Sequence, residues 1–190
     1  LHTQPGRDVL LTSLDRDPLL LSTASAHPMI VRSATQIDAP AIASLYSHYV
    51  LTTVISFEEA PVSEHEMWTR VSEVQGQGLP WLVAESAGVV VGFAYASKWK
   101  ARAAYRFSVE CSVYVAPHSA RSGIGTRLYE PLLAELTRLG LHSVIGGIAL
   151  PNDASVALHE KLGFVKTAHF LEVGFKFGRW IDVGYWQRRL

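Results

Sequence analysis

Glu110 is the residue whose setting most calls for a chemical role. It stands between Val109 and Cys111 in the run Phe107 to Ala116, where the odd positions Phe107, Val109, Cys111, Val113 and Val115 form an apolar face of period two. The even positions carry Ser108, Glu110, Ser112 and Tyr114. A carboxylate in such a strand is costly unless it has a partner or a task. The partner could be Arg102 or Arg106, which would make it structural; the task could be to take a proton. Just downstream lies Arg121-Ser122-Gly123-Ile124-Gly125-Thr126. A strand, a glycine turn and a helix in succession present backbone N–H groups to a phosphate at the helix N-terminus. Gly123 and Gly125 allow close backbone approach, and Arg121 adds a cation. An ordinary helix start with flexible glycines is the plainer alternative. A Walker loop needs Gly-x-x-x-x-Gly-Lys followed by Ser or Thr, which is absent, and a dinucleotide fingerprint needs a glycine where Leu128 stands. The turn therefore favours a phosphate-bearing cofactor without naming it.

These residues need elements to hold them. Thr35 and Asp38 offer N-caps to a helix carrying Ala41, Ile42, Leu45 and Tyr49, and Ser63 with Glu66 forms a capping box for a helix running to about Gln75. Trp81 to Ala84 and Val89 to Ala96 read as strands around a turn at Ala87-Gly88. After the glycine turn a helix runs through Leu128, Leu132, Leu136 and Leu139 to Gly140. A strand follows over about Ser143 to Leu150, then a short helix from Asn152-Asp153 to Gly163. Two last strands, Phe164 to Val173 and Ile181 to Gln187, flank a loop with Gly174, Gly178, Arg179 and Trp180. The alternation predicts an α/β or α+β domain, a mixed sheet flanked by helices. The odd register of Cys111 puts it opposite Glu110, buried and inert.

Composition narrows the partners. The chain of 190 residues suits one domain, and 48% hydrophobic against 18% charged residues is a globular balance. Lys plus Arg and Asp plus Glu both number 17, so there is no basic surplus for general nucleic-acid binding. No apolar run reaches the ~18 residues of a membrane helix. A single cysteine excludes an internal disulfide and a Cys-rich zinc site, and points to a reducing compartment, most simply the cytoplasm. Residues 1–28 read as an upstream extension or cloning-derived arm, because Met29 directly precedes a good strand at Ile30 to Arg32; the domain is expected over 29–190.

Several separated motifs, in order, resemble the GNAT acetyltransferase superfamily. Ser112-Val113-Tyr114-Val115 with the glycine turn is similar to its acetyl-CoA motif, and Asn152-Asp153-Ala154-Ser155 through His159-Glu160-Lys161-Leu162-Gly163-Phe164 to its second cofactor element. Trp99-Lys100-Ala101-Arg102, Tyr105, Val109-Glu110, Leu150-Pro151-Asn152-Asp153 and Phe177-Gly178-Arg179-Trp180 with Trp186-Gln187 resemble, more closely, the phosphinothricin/methionine-sulfone N-acetyltransferase family. The likeness spans Ile30 to Leu190. It departs at Ala120, where the family's glycine motif usually opens with Gln or Arg; tolerance with weaker cofactor binding is expected, Arg121 supplying charge.

The resemblance implies a mostly antiparallel sheet of about seven strands with about four helices, acetyl-CoA as co-substrate, no metal, and a homodimer. It implies transfer of acetyl to the α-amine of a small amino acid or analogue (phosphinothricin, methionine sulfone or sulfoximine) by direct attack in a ternary complex. Glu110 would be the base, since an α-amine titrates around 8. His159 stands where many members carry a tyrosine, as acid, proton relay or substrate contact. Val113 and Val115 N–H groups would polarise the thioester carbonyl, with Tyr114 beside them. Arg121, Ser122, Gly123, Ile124, Gly125 and Thr126 would hold the pyrophosphate, and Asn152 and Ser155 the pantetheine. Lys100, Arg102, Tyr105 and Ser112 would hold the substrate, with Phe57 closing the pocket. Trp180, Tyr185 and Trp186 are expected to pack the last strands and a dimer seam. Another amine, or an acyl-CoA-binding module without activity, are the rival readings; neutral net charge argues against polycationic aminoglycosides.

Overall fold

A computed structural model describes residues 28–190. The expected arm therefore lies, save its last residue, outside the described residues. Seven strands and four α-helices follow in the order β1 (Ile30–Ser33), α1 (Ala39–Thr52), α2 (Glu64–Gly76), β2 (Trp81–Ser86), β3 (Val89–Lys98), β4 (Ser108–Val115), α3 (Ile124–Arg138), β5 (Ser143–Ala149), α4 (Asp153–Lys161), β6 (Val165–Lys176) and β7 (Arg179–Arg189). They build one sheet in the order β1-β2-β3-β4-β5-β7-β6, antiparallel throughout except between β4 and β5. The mixed, mostly antiparallel sheet with four flanking helices is the expected fold.

Local chemistry starts the helices where the sequence placed them. Ser63 Oγ accepts from Glu66 N at 3.1 Å at the head of α2, and Asn152 Oδ1 accepts from Ser155 N at 3.1 Å at the head of α4. Asp38 accepts from Thr35 N at 2.8 Å and from both Arg32 terminal nitrogens at 2.7 Å, tying β1 to the entrance of α1. The Arg32 guanidinium holds the Asp38 carboxyl below the usual carboxylate range.

The period-two pattern of β4 sorts the two sides of the sheet. Val109 and Cys111 join Ala84, Ala94 and Val144 beneath α3, whose Leu128, Leu132 and Leu136 are fully buried. Each such side chain contributes about 1.5–3 kcal/mol by leaving water. On the opposite side Trp81, Val83 and Phe93 meet Ile42, Tyr46, Met67 and Val71 of α1 and α2. Cys111 is buried, and desolvation pushes its thiol up to about 12, so it is inert as expected.

Two expectations need correction. Phe107 lies before β4 and is 49% exposed, because the ladder with the parallel neighbour β5 begins only at Ser108; the Arg106 guanidinium lies over its ring. The last two strands are longer than periodicity suggested: Gly174, Arg179 and Trp180 are in the ladder, and the turn is only Phe177-Gly178, both at positive φ. The irregularity instead falls inside β6, where register shifts between Phe170 and Gly174 around Glu172 at φ 48°.

Candidate active site

The one parallel pair among the described strands opens the site. β4 and β5 are paired over Ser108–Glu110 against Ser143–Ile145 and then diverge. The amides of β4 facing the gap follow from the β3 register: Ala116 N donates to Val91 O, and Trp99 N to Ser108 O, so even residues of β4 bond to β3. The odd residues Val113 and Val115 therefore point their N–H groups into the gap. Tyr49 OH donates to Val115 O, fixing that strand end from the α1 side. The gap is a narrow slot of about 40 Å³ whose walls include Ser112, Val113, Tyr114, Gly147, Asn152 and Ser155.

At the end of β4 the glycine turn delivers α3. Gly123 is its N-cap at φ 80°, a conformation that favours glycine, and no side chain caps the helix. The N–H groups of Ile124, Gly125 and Thr126 thus stand without intrahelical partners at the positive end of a 15-residue helix. Arg121 and Ser122 are exposed beside them. Gly125 has a different reason from Gly123: a Cβ there would lie 2.9 Å from Leu158 Cδ2, so its absence lets α4 pack against α3. Lys161, reached by Nζ to Thr126 Oγ1 at 3.4 Å, is a second cation at this end that sequence reasoning did not single out. Uncapped amides, free strand amides and flanking cations fit a thioester carried on a pyrophosphate-bearing arm, as acetyl-CoA is.

Glu110 lies where the gap begins. Its side chain shares a face with Ser108 and Ser112, and a Cβ on Gly147 would lie 3.0 Å from its Oε1. Neither expected arginine pairs with it: Arg106 lies 4.5 Å over the Phe107 ring and donates to Ala103 O, and Arg102 is exposed. Among the described residues Glu110 makes no ion pair. Burial raises its carboxyl above the ordinary value, and the Lys100 charge partly offsets this.

A cavity of about 640 Å³ opens on the same face beside Glu110, lined by Lys100, Tyr105, Ser108, Ile145, Phe170 and Tyr185 among others. That is the size of a small-ligand site. Lys100 and Tyr105 come together there as expected; Arg102 is not among the lining residues. Phe57 is exposed and packs its ring on Gly174 of β6, outside this lining. Tyr185, expected in packing, is instead half-buried in the cavity wall, edge-on to Trp99 and Phe170. Its place follows from β7 register alone, which no local pattern reveals. Trp186 is buried as core and Trp180 is 60% exposed. A separate cavity of about 280 Å³ under α2 holds none of the expected site residues.

His159 reaches the floor of the slot from α4, 3% exposed. Its Nδ1 is 2.8 Å from Ser155 O and its Nε2 3.3 Å from Tyr129 OH. Because a carbonyl only accepts, the network assigns the proton to Nδ1, and Nε2 then accepts from Tyr129. Burial lowers the imidazole pKa, keeping the ring neutral at neutral pH. This arrangement leaves no ring nitrogen free for an incoming amine. Asn152 Oδ1 is likewise engaged at the α4 cap, and the residue stands in the slot wall.

Comparison with known proteins agrees with this geometry. The profile of the acetyltransferase (GNAT) domain family matches residues 31–184. A phosphinothricin N-acetyltransferase of Streptomyces viridochromogenes is 43% identical over 162 residues, covering 85% of this chain and 88% of the relative. An L-methionine sulfoximine/L-methionine sulfone acetyltransferase of Salmonella typhimurium is 38% identical over 162 residues, covering 85% of this chain and 95% of the relative. The crystal structure of a GNAT superfamily phosphinothricin acetyltransferase from Sinorhizobium meliloti in complex with AcCoA superimposes with a TM-score of 0.83 at 40% identity, covering 85% of this chain and 88% of that one.

Proposed function

This chain belongs to the GNAT acetyltransferase family, and from that premise we propose that it moves the acetyl group of acetyl-CoA to the α-amine of a small amino acid or analogue of the phosphinothricin or methionine sulfoximine type. The observation that carries the reading is Glu110: a half-buried carboxylate without an ion-pair partner among the described residues, placed where the β4–β5 gap meets a small-ligand cavity. Relatives acting on those two substrates match the chain over most of its length.

Acetyl-CoA supplies the activated acetyl group as a thioester. The uncapped N–H groups of Ile124, Gly125 and Thr126, with Arg121 and Ser122, hold its pyrophosphate; Asn152 and Ser155 flank its pantetheine arm, and Tyr114 lies along the slot. Val113 and Val115 N–H groups donate to the thioester carbonyl. Glu110 takes one proton from the substrate ammonium, freeing the lone pair that forms the C–N bond as the C–S bond breaks. The second proton of the attacking nitrogen balances the departing thiolate. His159, neutral and occupied at both nitrogens, holds Tyr129 and α4 beneath the slot instead of donating as a free acid. Lys100 and Tyr105 hold the substrate carboxylate or its anionic side chain, with Ser112 beside Glu110; Arg102 contributes charge at longer range.

We infer a homodimer from the β6–β7 edge, where Phe170, Leu171, Val173, Phe175, Phe177 and Trp180 are each more than half exposed. No described helix is long and apolar enough to cross a membrane.

Thiol release from acetyl-CoA, followed with phosphinothricin, methionine sulfone, methionine sulfoximine, common amino acids and an aminoglycoside, tests the function. Turnover confined to amino-acid analogues supports it. Acetyl-CoA raising the melting temperature with no turnover of any amine leaves the cofactor half standing and overturns the substrate reading.

A further inference from the structure

The segment between α1 and α2 is held from the far end of the chain. Lys176, the last residue of β6, is 3% exposed. Its Nζ donates to Val50 O at 2.7 Å and to Ser56 O at 2.6 Å. Val50 lies in the last turn of α1, where carbonyls lack helical partners and the helix dipole is negative, so the ammonium caps α1 and clamps the chain leaving it. Two residues earlier on the same face of β6, Gly174 bears the Phe57 ring; a Cβ there would overlap it. Tyr46 OH bonds to Ser56 Oγ at 2.8 Å and donates to Glu58 Oε1 at 2.9 Å, while Arg70 also grips Glu58. The segment's far side is thus fixed by its own helices. Its near side, carrying Ile55 at the slot wall and Phe57, depends on β6.

We propose that Lys176 and Gly174 form a seat that sets the segment 53–60 over the acetyl slot, making Lys176 a positioning residue for the slot that takes the acetyl thioester. The inference rests on the proposed acetyl transfer for its kinetic part alone. A buried ammonium has three donors and no use for apolar surroundings; here two go to carbonyls that no other group satisfies, and Glu58 and Glu59 supply the compensating charge nearby. The seat lies immediately after the β6 irregularity between Phe170 and Gly174, which turns Gly174 and Lys176 inward while Val173 and Phe175 stay exposed. Sequence gives no hint of it, since the contacts are 120 and 126 residues apart.

The test compares Lys176→Met and Gly174→Ala with the parent chain by amide hydrogen exchange and by KM for each substrate. The first variant removes the clamp; the second displaces Phe57 and keeps the ammonium. Expected in both is exchange at least about tenfold faster within 53–60 and unchanged in β4 and α3. The acetyl-CoA KM should rise about tenfold, with the amine KM within about twofold of the parent. Unchanged exchange within 53–60 overturns the seat, as does uniform acceleration across the chain, which marks a merely global role. Should Lys176→Met fail to fold, Gly174→Ala decides by the same criteria. A parent that acetylates no amine defeats the functional reading, and the exchange result still decides the seat.

Discussion

The two halves of the site are built on different principles. The half proposed to face the cofactor comes from two short stretches, 112–126 and 152–161, and would recognise its ligand mainly with backbone amides set by β4, the Gly123 turn and the uncapped start of α3. Its support is the fully buried row Leu128, Leu132 and Leu136. The proposed amine half is assembled from side chains on widely separated segments: Lys100 and Tyr105 before β4, Phe170 on β6 and Tyr185 on β7 line its cavity, and Glu110 of β4 stands beside it, paired with the lining residue Ile145. Backbone recognition depends on conformation and tolerates changes of side chain, so the proposed phosphate turn should tolerate Ala120. Side-chain recognition depends on identity and on tertiary register, so the same substitution tolerance does not extend to it.

The largest expected effect separates the halves at Glu110. Glu110→Gln should lower kcat by about 100-fold or more, while the KM for acetyl-CoA stays near the parent value. It should also stabilise the fold. Burial raises the Glu110 pKa above its unfolded value, so the stability this group contributes is full below the unfolded pKa and is lost as pH rises through the folded one. The glutamine variant lacks that loss and should melt higher at neutral pH in a thermal scan. A variant that keeps its turnover breaks the assignment of the base.

The converse change lies in the turn. Gly123 has open space around its Cβ position but φ of 80°, so Gly123→Ala isolates backbone strain of about 1–2 kcal/mol. The expected outcome is an acetyl-CoA KM raised about tenfold with the amine KM unchanged, read from initial rates in both substrates. If both KM values move together, the halves are coupled and the comparison fails.

The same division explains what the sequence could disclose. Capping at Ser63 and Asn152, the leucine row of α3 and the period of β4 are short-range patterns, and they placed β4, α3 and α4 to within a few residues. Glu110 was legible because an acid on an apolar strand violates a local rule. Tyr185, Tyr129, Lys161 and Lys176 were not, because each acquires its neighbours only through strand register or helix packing between segments distant in sequence. The inward turn of Gly174 follows from an irregularity between Phe170 and Gly174, where periodicity suggested an unbroken strand to Val173 and then a loop.

A smaller effect is expected at the rim. Lys100 is exposed and lies 4.8 Å over the Trp99 ring, so its ion pair with a substrate anion is screened. Lys100→Met should raise the amine KM by about threefold to fivefold. Its charge also lowers the Glu110 pKa, so its removal should shift the acid limb of the kcat/KM profile to higher pH. A profile measured across the acid limb that does not move would show that Lys100 acts on the substrate alone.

The smallest effect is the sharpest discriminator, because Gly125 has two competing reasons to be glycine. If the ligand demands it, a methyl group would block the approach of the pyrophosphate, and Gly125→Ala would raise the acetyl-CoA KM by about tenfold or more. If packing demands it, the methyl group meets Leu158 Cδ2, the far end of a flexible side chain that can rotate away. Alanine gains up to about 1 kcal/mol over glycine within a helix, and rearranging one leucine costs a similar amount. Stability should then stay within about 0.5 kcal/mol of the parent in a denaturant titration, and the acetyl-CoA KM within about twofold. The structure places Leu158 against Gly125 and gives Gly123 the positive φ, so the second result is expected: the pair of glycines that reads as one phosphate motif divides its labour, one turning the chain and the other admitting the neighbouring helix.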